Sequence, residues 1–162
     1  MIAVMSLPAP KEVRDLFEDL LGRHITVSPA DPILASAVPR SLVALYVDSN
    51  LKLSAVIGMA LPLAVYAGVA LGLIPPGGAQ DCVDDGVLTP MIAENVTEVC
   101  NVMSGLLNKG NGPHLRLYQR FLPGEGPPTD ATGYLLALGR RLDLIVEVAG
   151  YGTGKLSIAL AF

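Results

Sequence analysis

The stretch that most constrains this chain is Leu53 to Ile74, 22 residues without one charged side chain. It is long enough to span a bilayer, and its Gly68-x-x-x-Gly72 pair is of the kind that packs membrane helices. Against that reading, Pro62 lies near the middle, where a continuous helix would lose a backbone hydrogen bond. The run therefore divides in two. Leu51 to Ile57 reads as a strand, and Pro62 takes the permitted first turn of a helix reaching about Leu73. A buried strand followed by a buried helix has the same hydropathy as a membrane span, so no membrane insertion is expected.

Composition agrees with a chain that hides much of itself. Hydrophobic residues make up 51% and charged ones 16% of 162 residues, which fits one domain over 1–162 with a substantial core, or apolar surface given to a partner. A net charge of −4 without any run of Lys or Arg excludes a nucleic-acid footprint. The two cysteines, Cys82 and Cys100, make no secreted disulfide framework and fit a reducing, cytoplasmic setting. Met1 to Met5 is too short for a signal peptide.

Along the chain, Lys11 to Leu21 is an amphipathic helix with Val13, Leu16, Phe17, Leu20 and Leu21 on one face and Gly22 as its stop. His24 to Val27 reads as a short strand ended by Ser28-Pro29. Ser41 to Val47 and the strand from Leu51 form a hairpin around Asp48-Ser-Asn. Pro75-Pro-Gly-Gly breaks the second helix and opens a polar loop through Gly86. Thr89 caps a third helix, with Pro90 at its first position and an end near Asn108. Leu115 to Leu122, Tyr134 to Leu138, Leu142 to Val148 and Leu156 to Ala161 read as strands. The expectation is an α+β fold, a predominantly antiparallel sheet packed with about three helices. No internal repeat is discernible.

The third helix carries the functional signal. Glu94, Glu98 and Asn101 are spaced four and three residues apart, and with Gly105 they fall in a stripe roughly 60° wide. Ile92, Val96, Val99, Met103 and Leu106 lie opposite. Such a helix buries its apolar side and offers two carboxyls, a carboxamide and exposed backbone to another molecule. Pro123 follows, at the end of an apolar strand.

Glu94, Glu98, Asn101 and Pro123, in helix–strand order, resemble the signature of the CheC/CheX/FliY chemotaxis phosphatases, which act on the response regulator CheY. That family has Asp or Ser more often where Glu94 stands, and its commonest Pro spacing is about one residue longer. The first helix has no second copy, since Glu18 is followed by Asp-Leu-Leu, so the resemblance is to the single-motif, CheX-like branch. The resemblance implies a CheX-like fold and a hydrolase acting in two-component signalling. Glu98 would pair with the receiver's lysine, and Asn101 would direct a water onto the aspartyl phosphate of a CheY-like receiver. Glu94, Gly105 and Pro123 would contact the partner. No cofactor is expected in this chain, because Mg²⁺ would belong to the receiver. A homodimer is implied, and the edge of Leu142 to Val148 is a strand in need of cover. The alternative is a non-catalytic CheX-like module that binds a receiver or motility component.

Other motifs have plainer readings. Gly150-Tyr-Gly-Thr-Gly-Lys155 lacks Walker spacing and precedes a strand, so it reads as a hairpin turn. Lys109-Gly-Asn-Gly is a helix C-terminus. His24 and His114 have no Cys or carboxylate at metal-ligand spacing, and no metal is assigned. Ser104 lacks a nucleophile-elbow context, and Cys100 reads as a buried thiol.

Overall fold

The structure, a computed structural model, describes residues 5–161. Residues 1–4 of the Met1–Met5 segment lie outside them. The elements in chain order are α1 (Pro10–Leu21), β1 (Ile25–Pro29), a 3₁₀ helix (Ala35–Arg40), β2 (Ser41–Val47), β3 (Leu53–Ala60), α2 (Leu61–Leu71), α3 (Pro76–Asp85), α4 (Pro90–Leu107), β4 (Arg116–Phe121), α5 (Thr129–Leu136), β5 (Arg141–Val148) and β6 (Gly152–Leu160). The six strands form one sheet in the order β1-β5-β6-β3-β2-β4. Every pairing is antiparallel. This is the expected α+β fold.

That order reads the same from either edge. Helix, edge strand, short helix and hairpin (α1, β1, the 3₁₀ helix, β2, β3) correspond to α4, β4, α5, β5 and β6, with β3 and β6 pairing antiparallel at the centre. The fold is thus a topological duplication. The sequence hides it because each half has its own solution to burial. α1 has 12 residues and α4 has 18.

Both faces of the sheet are covered at β2, which explains why all seven of its residues are buried. Leu42, Ala44 and Tyr46 point into the large core beneath α1, α2 and α4. Val43 and Leu45 point the other way, into a smaller core with Ile33, Val38, Ala131 and Leu135. Burying one such Leu or Val contributes about 1.5–3 kcal/mol, so the core-facing strands hold the sheet together.

The uncharged run divides as expected, into β3 and α2, with Pro62 in the first turn of the helix. Among the described residues no helix is long and apolar enough to cross a membrane. Gly68 and Gly72 instead let α4 approach α2. A Cβ on Gly68 would sit 2.8 Å from the Ile92 carbonyl oxygen, and one on Gly72 would sit 2.6 Å from Asn95 Nδ2. Asn95 Nδ2 donates to the Gly68 carbonyl at 3.0 Å across this crossing. The glycines of the last hairpin serve the same end. A Cβ on Gly154 would overlap Leu63, and one on Gly152 would press on the Tyr66 ring. The turn itself is confined to 149–151; Gly152 to Lys155, expected as part of it, already belong to β6 beneath α2.

Several boundaries differ from the sequence reading. The polar loop expected after Pro75 is helical: Pro76 starts α3, Ala79 and Cys82 are buried, and Gly86 ends it in the left-handed conformation at φ 72°. Tyr134 to Leu138, expected as a strand, instead falls on α5 and the residues just after it. Leu135 is buried in the smaller core, as a helix docked across the sheet allows. Ser28 and Pro29 belong to β1, an edge strand in which Pro29 is the last residue, and the Ala30 amide beyond it still donates to the Asp143 carbonyl of β5 at 3.1 Å. The segment 142–148 is interior, because β1 covers it; the open edges are β1 and β4.

A largely buried ion pair within β5 holds the arginine that fastens α5 to the sheet. Arg141 donates through Nε and Nη2 to both oxygens of Asp143, at 2.7 and 2.8 Å. Its Nη1 donates to the Leu135 and Ala137 carbonyls at the end of α5. Ser157 Oγ donates to Asp143 at 2.6 Å. Burial raises the Asp143 pKa, but the bonds from Arg141 and Ser157 outweigh it, and the carboxyl stays below its usual value.

Candidate functional site

α4 begins where Thr89 accepts a hydrogen bond from the Ile92 amide (3.4 Å) and Pro90 occupies the first position. It ends at Asn108, whose side chain exchanges two hydrogen bonds with the Leu115 backbone, at 2.7 and 2.8 Å. That clamp fixes the start of β4 against the end of α4. Ile92, Val96, Val99, Met103 and Leu106 are all buried, while Glu94, Glu98, Asn101 and Gly105 are all exposed. The stripe is therefore brought together as the spacing predicts. Met91, 55% exposed, extends it by one turn toward the N-terminus.

The middle of α4 is braced from below and from one side. Tyr46 of β2 donates its buried hydroxyl to the carbonyl of Cys100, the residue before Asn101. Burial, with the nearby Cys100 adding to it, pushes the Tyr46 phenol well above its ordinary pKa, so it remains a protonated donor. Burial also pushes the Cys100 thiol up to about 12, which makes it inert. On the flank, Arg120 Nε donates to Thr97 Oγ1 at 2.9 Å, and Thr97 donates in turn to the Ala93 carbonyl at 2.7 Å.

Pro123 sits, partly buried, in the turn after β4. In that turn the Leu122 amide donates to Glu125 Oε1 at 2.6 Å, and Gly124 donates to the Pro39 carbonyl at 2.9 Å. The same Glu125 oxygen lies 3.6 Å from Arg120 Nη1. The Pro123 turn is thus connected through Glu125 and Arg120 to Thr97, the neighbour of Glu98. The sequence reading missed Tyr46, Thr97 and Arg120.

The side chains of Glu94, Glu98 and Asn101 are exposed and make no hydrogen bond or ion pair with another described residue. A groove of about 480 Å³ lies beside it between α1 and α4, lined by Leu16, Leu20, Val102 and the Glu12–Lys109 ion pair, but none of the three stripe residues lines it. Exposed, unpaired carboxyl and carboxamide groups on one helix face are available to a group on another molecule. Among the described residues no group of three or more His, Cys, Asp or Glu is gathered to hold a metal ion.

α1 shows the contrast. Glu18 stands eight residues after Pro10, as Glu98 stands eight after Pro90. Yet the Glu18 carboxylate is already used, accepting from the Ile25 amide at 3.2 Å and lying 3.2 Å from His24 Nδ1. Leu21, at the place corresponding to Asn101, is buried. The first half of the duplication spends these positions on structure.

Solved structures place this architecture. H. pylori FliM, in its complex with SpeE, matches at a TM-score of 0.65 and 7% identity, over 93% of this chain and 80% of that one. Thermotoga maritima FliY matches at 0.59 and 14% identity, over 93% and 83%. The CheX–CheY–BeF₃–Mg²⁺ complex of Borrelia burgdorferi matches at 0.53 and 15%, over 90% and 90%. The chain has the CheX-like fold shared with FliY and FliM. No family model matches the sequence. No curated protein matches it either. At these identities the likeness is one of fold. Within the CheX-like fold, the exposed stripe lies on the first helix of the second half.

Proposed function

We propose that the chain is a CheX-like phosphatase that dephosphorylates an aspartyl-phosphorylated, CheY-like receiver. The observation that carries this reading is the face of α4. Glu94, Glu98 and Asn101 are exposed and unpaired on a helix held in place by Thr89, Tyr46 and Arg120. Asn101 accepts and donates at once, and so orients a water in line with the phosphorus. The water's oxygen bonds to phosphorus as the acyl phosphate P–O bond breaks, releasing the receiver's aspartate and inorganic phosphate. Glu98 pairs with the receiver's lysine. Glu94, Gly105 and Pro123 form the surrounding contact surface, and the Mg²⁺ is the receiver's. The protein works as a homodimer in the cytoplasm.

A second reading, a non-catalytic module binding a receiver or motility component, is favoured by the likeness to FliM, whose TM-score of 0.65 exceeds that to the CheX complex. Loss of phosphate from a panel of phosphorylated receivers, with and without the protein, separates the two. Accelerated loss from one receiver supports the phosphatase. Binding without acceleration supports the module.

A further inference from the structure

We propose that Arg120 is a phosphoryl-facing cation at the edge of the Glu98–Asn101 surface, contacting the phosphoryl oxygens of the docked receiver. This rests on the reading of that surface as receiver-binding, though not on catalysis.

Arg120 lies on the helix-facing side of β4, because it pairs with Ala44, whose side chain points into the core beneath α4. Its Nε is committed to Thr97 Oγ1 at 2.9 Å. Thr97 and Asn101 are one turn apart, with Cβ atoms roughly 5–6 Å from each other on the same side of the helix. The guanidinium is therefore held one helical turn from Asn101, on the flank of the stripe. Its contact with Glu125 is loose, at 3.6 Å, and its side chain is 31% exposed. One edge is fixed to the helix, and the outer nitrogens keep donors for an incoming anion.

Chemistry gives that anion a class. Glu94 and Glu98 alone would repel a phosphoryl group bearing nearly two negative charges, at a cost that grows as water leaves the interface. A guanidinium offers a planar fork matched to two oxygens of phosphate or its fluoride analogues. The Pro123 turn serves the same cation, because it positions Glu125, which lies against Arg120.

The test is the affinity of wild type, Arg120→Gln and Arg120→Lys for one receiver, unloaded and loaded with Mg²⁺ and BeF₃⁻. The ratio of the two affinities isolates the phosphoryl group. Wild type should prefer the loaded receiver, and Arg120→Gln should lower that preference by about tenfold, weakening loaded binding more than any loss of the Thr97 contact weakens both states. Arg120→Lys should lie between them, keeping the charge without the fork, and it carries the test if the Gln variant does not fold. An unchanged ratio, or equal weakening of both states, overturns the proposal and makes Arg120 a brace. If that result accompanies wild-type hydrolysis, the phosphatase reading stands alone. A shifted ratio without hydrolysis leaves Arg120 as a phosphoryl sensor on a binding module. Absence of wild-type binding to either state of any receiver overturns both.

Discussion

Tyr46, on β2, donates its only hydroxyl hydrogen to the carbonyl of Cys100, one residue before Asn101. The bond is fully buried and joins the sheet to the middle of the helix that carries the candidate site. It sets the depth at which α4 rides on the sheet, and hence how far Asn101 projects. Tyr46→Phe keeps the ring and removes the donor. It should cost about 1–2 kcal/mol and lower the thermal midpoint by roughly 3–6 °C in calorimetry.

Two glycines on the helical layer should respond in opposite directions. Gly68→Ala would press a methyl against the Ile92 carbonyl at 2.8 Å, backbone that moves only if α4 moves. The overpacking cost of about 1–3 kcal/mol should exceed the gain in helix propensity of about 1 kcal/mol, leaving a lower denaturation midpoint. At Gly105 an added Cβ meets nothing within 4 Å. Gly105→Ala should therefore stabilise the fold by about 0.5–1 kcal/mol. On the proposed function it should nevertheless weaken receiver binding, because the methyl enters the contact surface. Denaturation curves paired with receiver titrations check both.

Where local pattern and tertiary placement agree, the sequence was readable. Pro62 divided the uncharged run correctly, and the spacing of Glu94, Glu98 and Asn101 brought them to one exposed face. The failures have physical causes. Pro-Gly-Gly looks like a break, yet Pro76 starts a helix that buries Cys82. Tyr134-Leu-Leu is as apolar as a strand, and only the uncovered sheet face makes it a helix. Arg120 was hidden by a bulge. Leu117 pairs with Tyr46 and Arg120 with Ala44, so residues three apart share a face, where strict alternation would have sent Arg120 away from α4. The duplicated topology left no trace because Glu18 and Leu21 do structural work in the first half that Glu98 and Asn101 do not do in the second.

The Arg141–Asp143–Ser157 cluster predicts a particular acid response. The folded pKa of Asp143 lies below its ordinary 3.8. Its contribution is therefore fully present above that value and is lost as pH falls through the lower, folded pKa. Asp143→Asn should be clearly less stable than wild type at neutral pH, since it leaves buried Arg141 without its counter-charge. The gap should narrow below about pH 4 in urea titrations across the acid range. A gap that is constant with pH would show that the carboxylate charge is not what stabilises this junction.

Assembly is open to direct measurement. The exposed edges are β1 and β4, and unprotected edges favour pairing with a second chain. A homodimer is expected, so light scattering should give about twice the chain mass of 16.9 kDa. A mass that stays at the monomer value at all concentrations would contradict it.

The most direct test of the central claim is the rate of phosphate loss from a receiver that the wild type serves, measured with Asn101→Ala. Asn101 is exposed and its side chain has no partner among the described residues, so alanine should leave the melting temperature nearly unchanged. Removing the group that orients the water should cost on the order of 3 kcal/mol of transition-state stabilisation, about a hundredfold in rate, with receiver binding retained. Glu98→Ala, by contrast, should weaken binding and turnover together. If Asn101→Ala dephosphorylates that receiver at the wild-type rate, the stripe on α4 is a solvated helix face, and the account of this chain as a phosphatase is wrong.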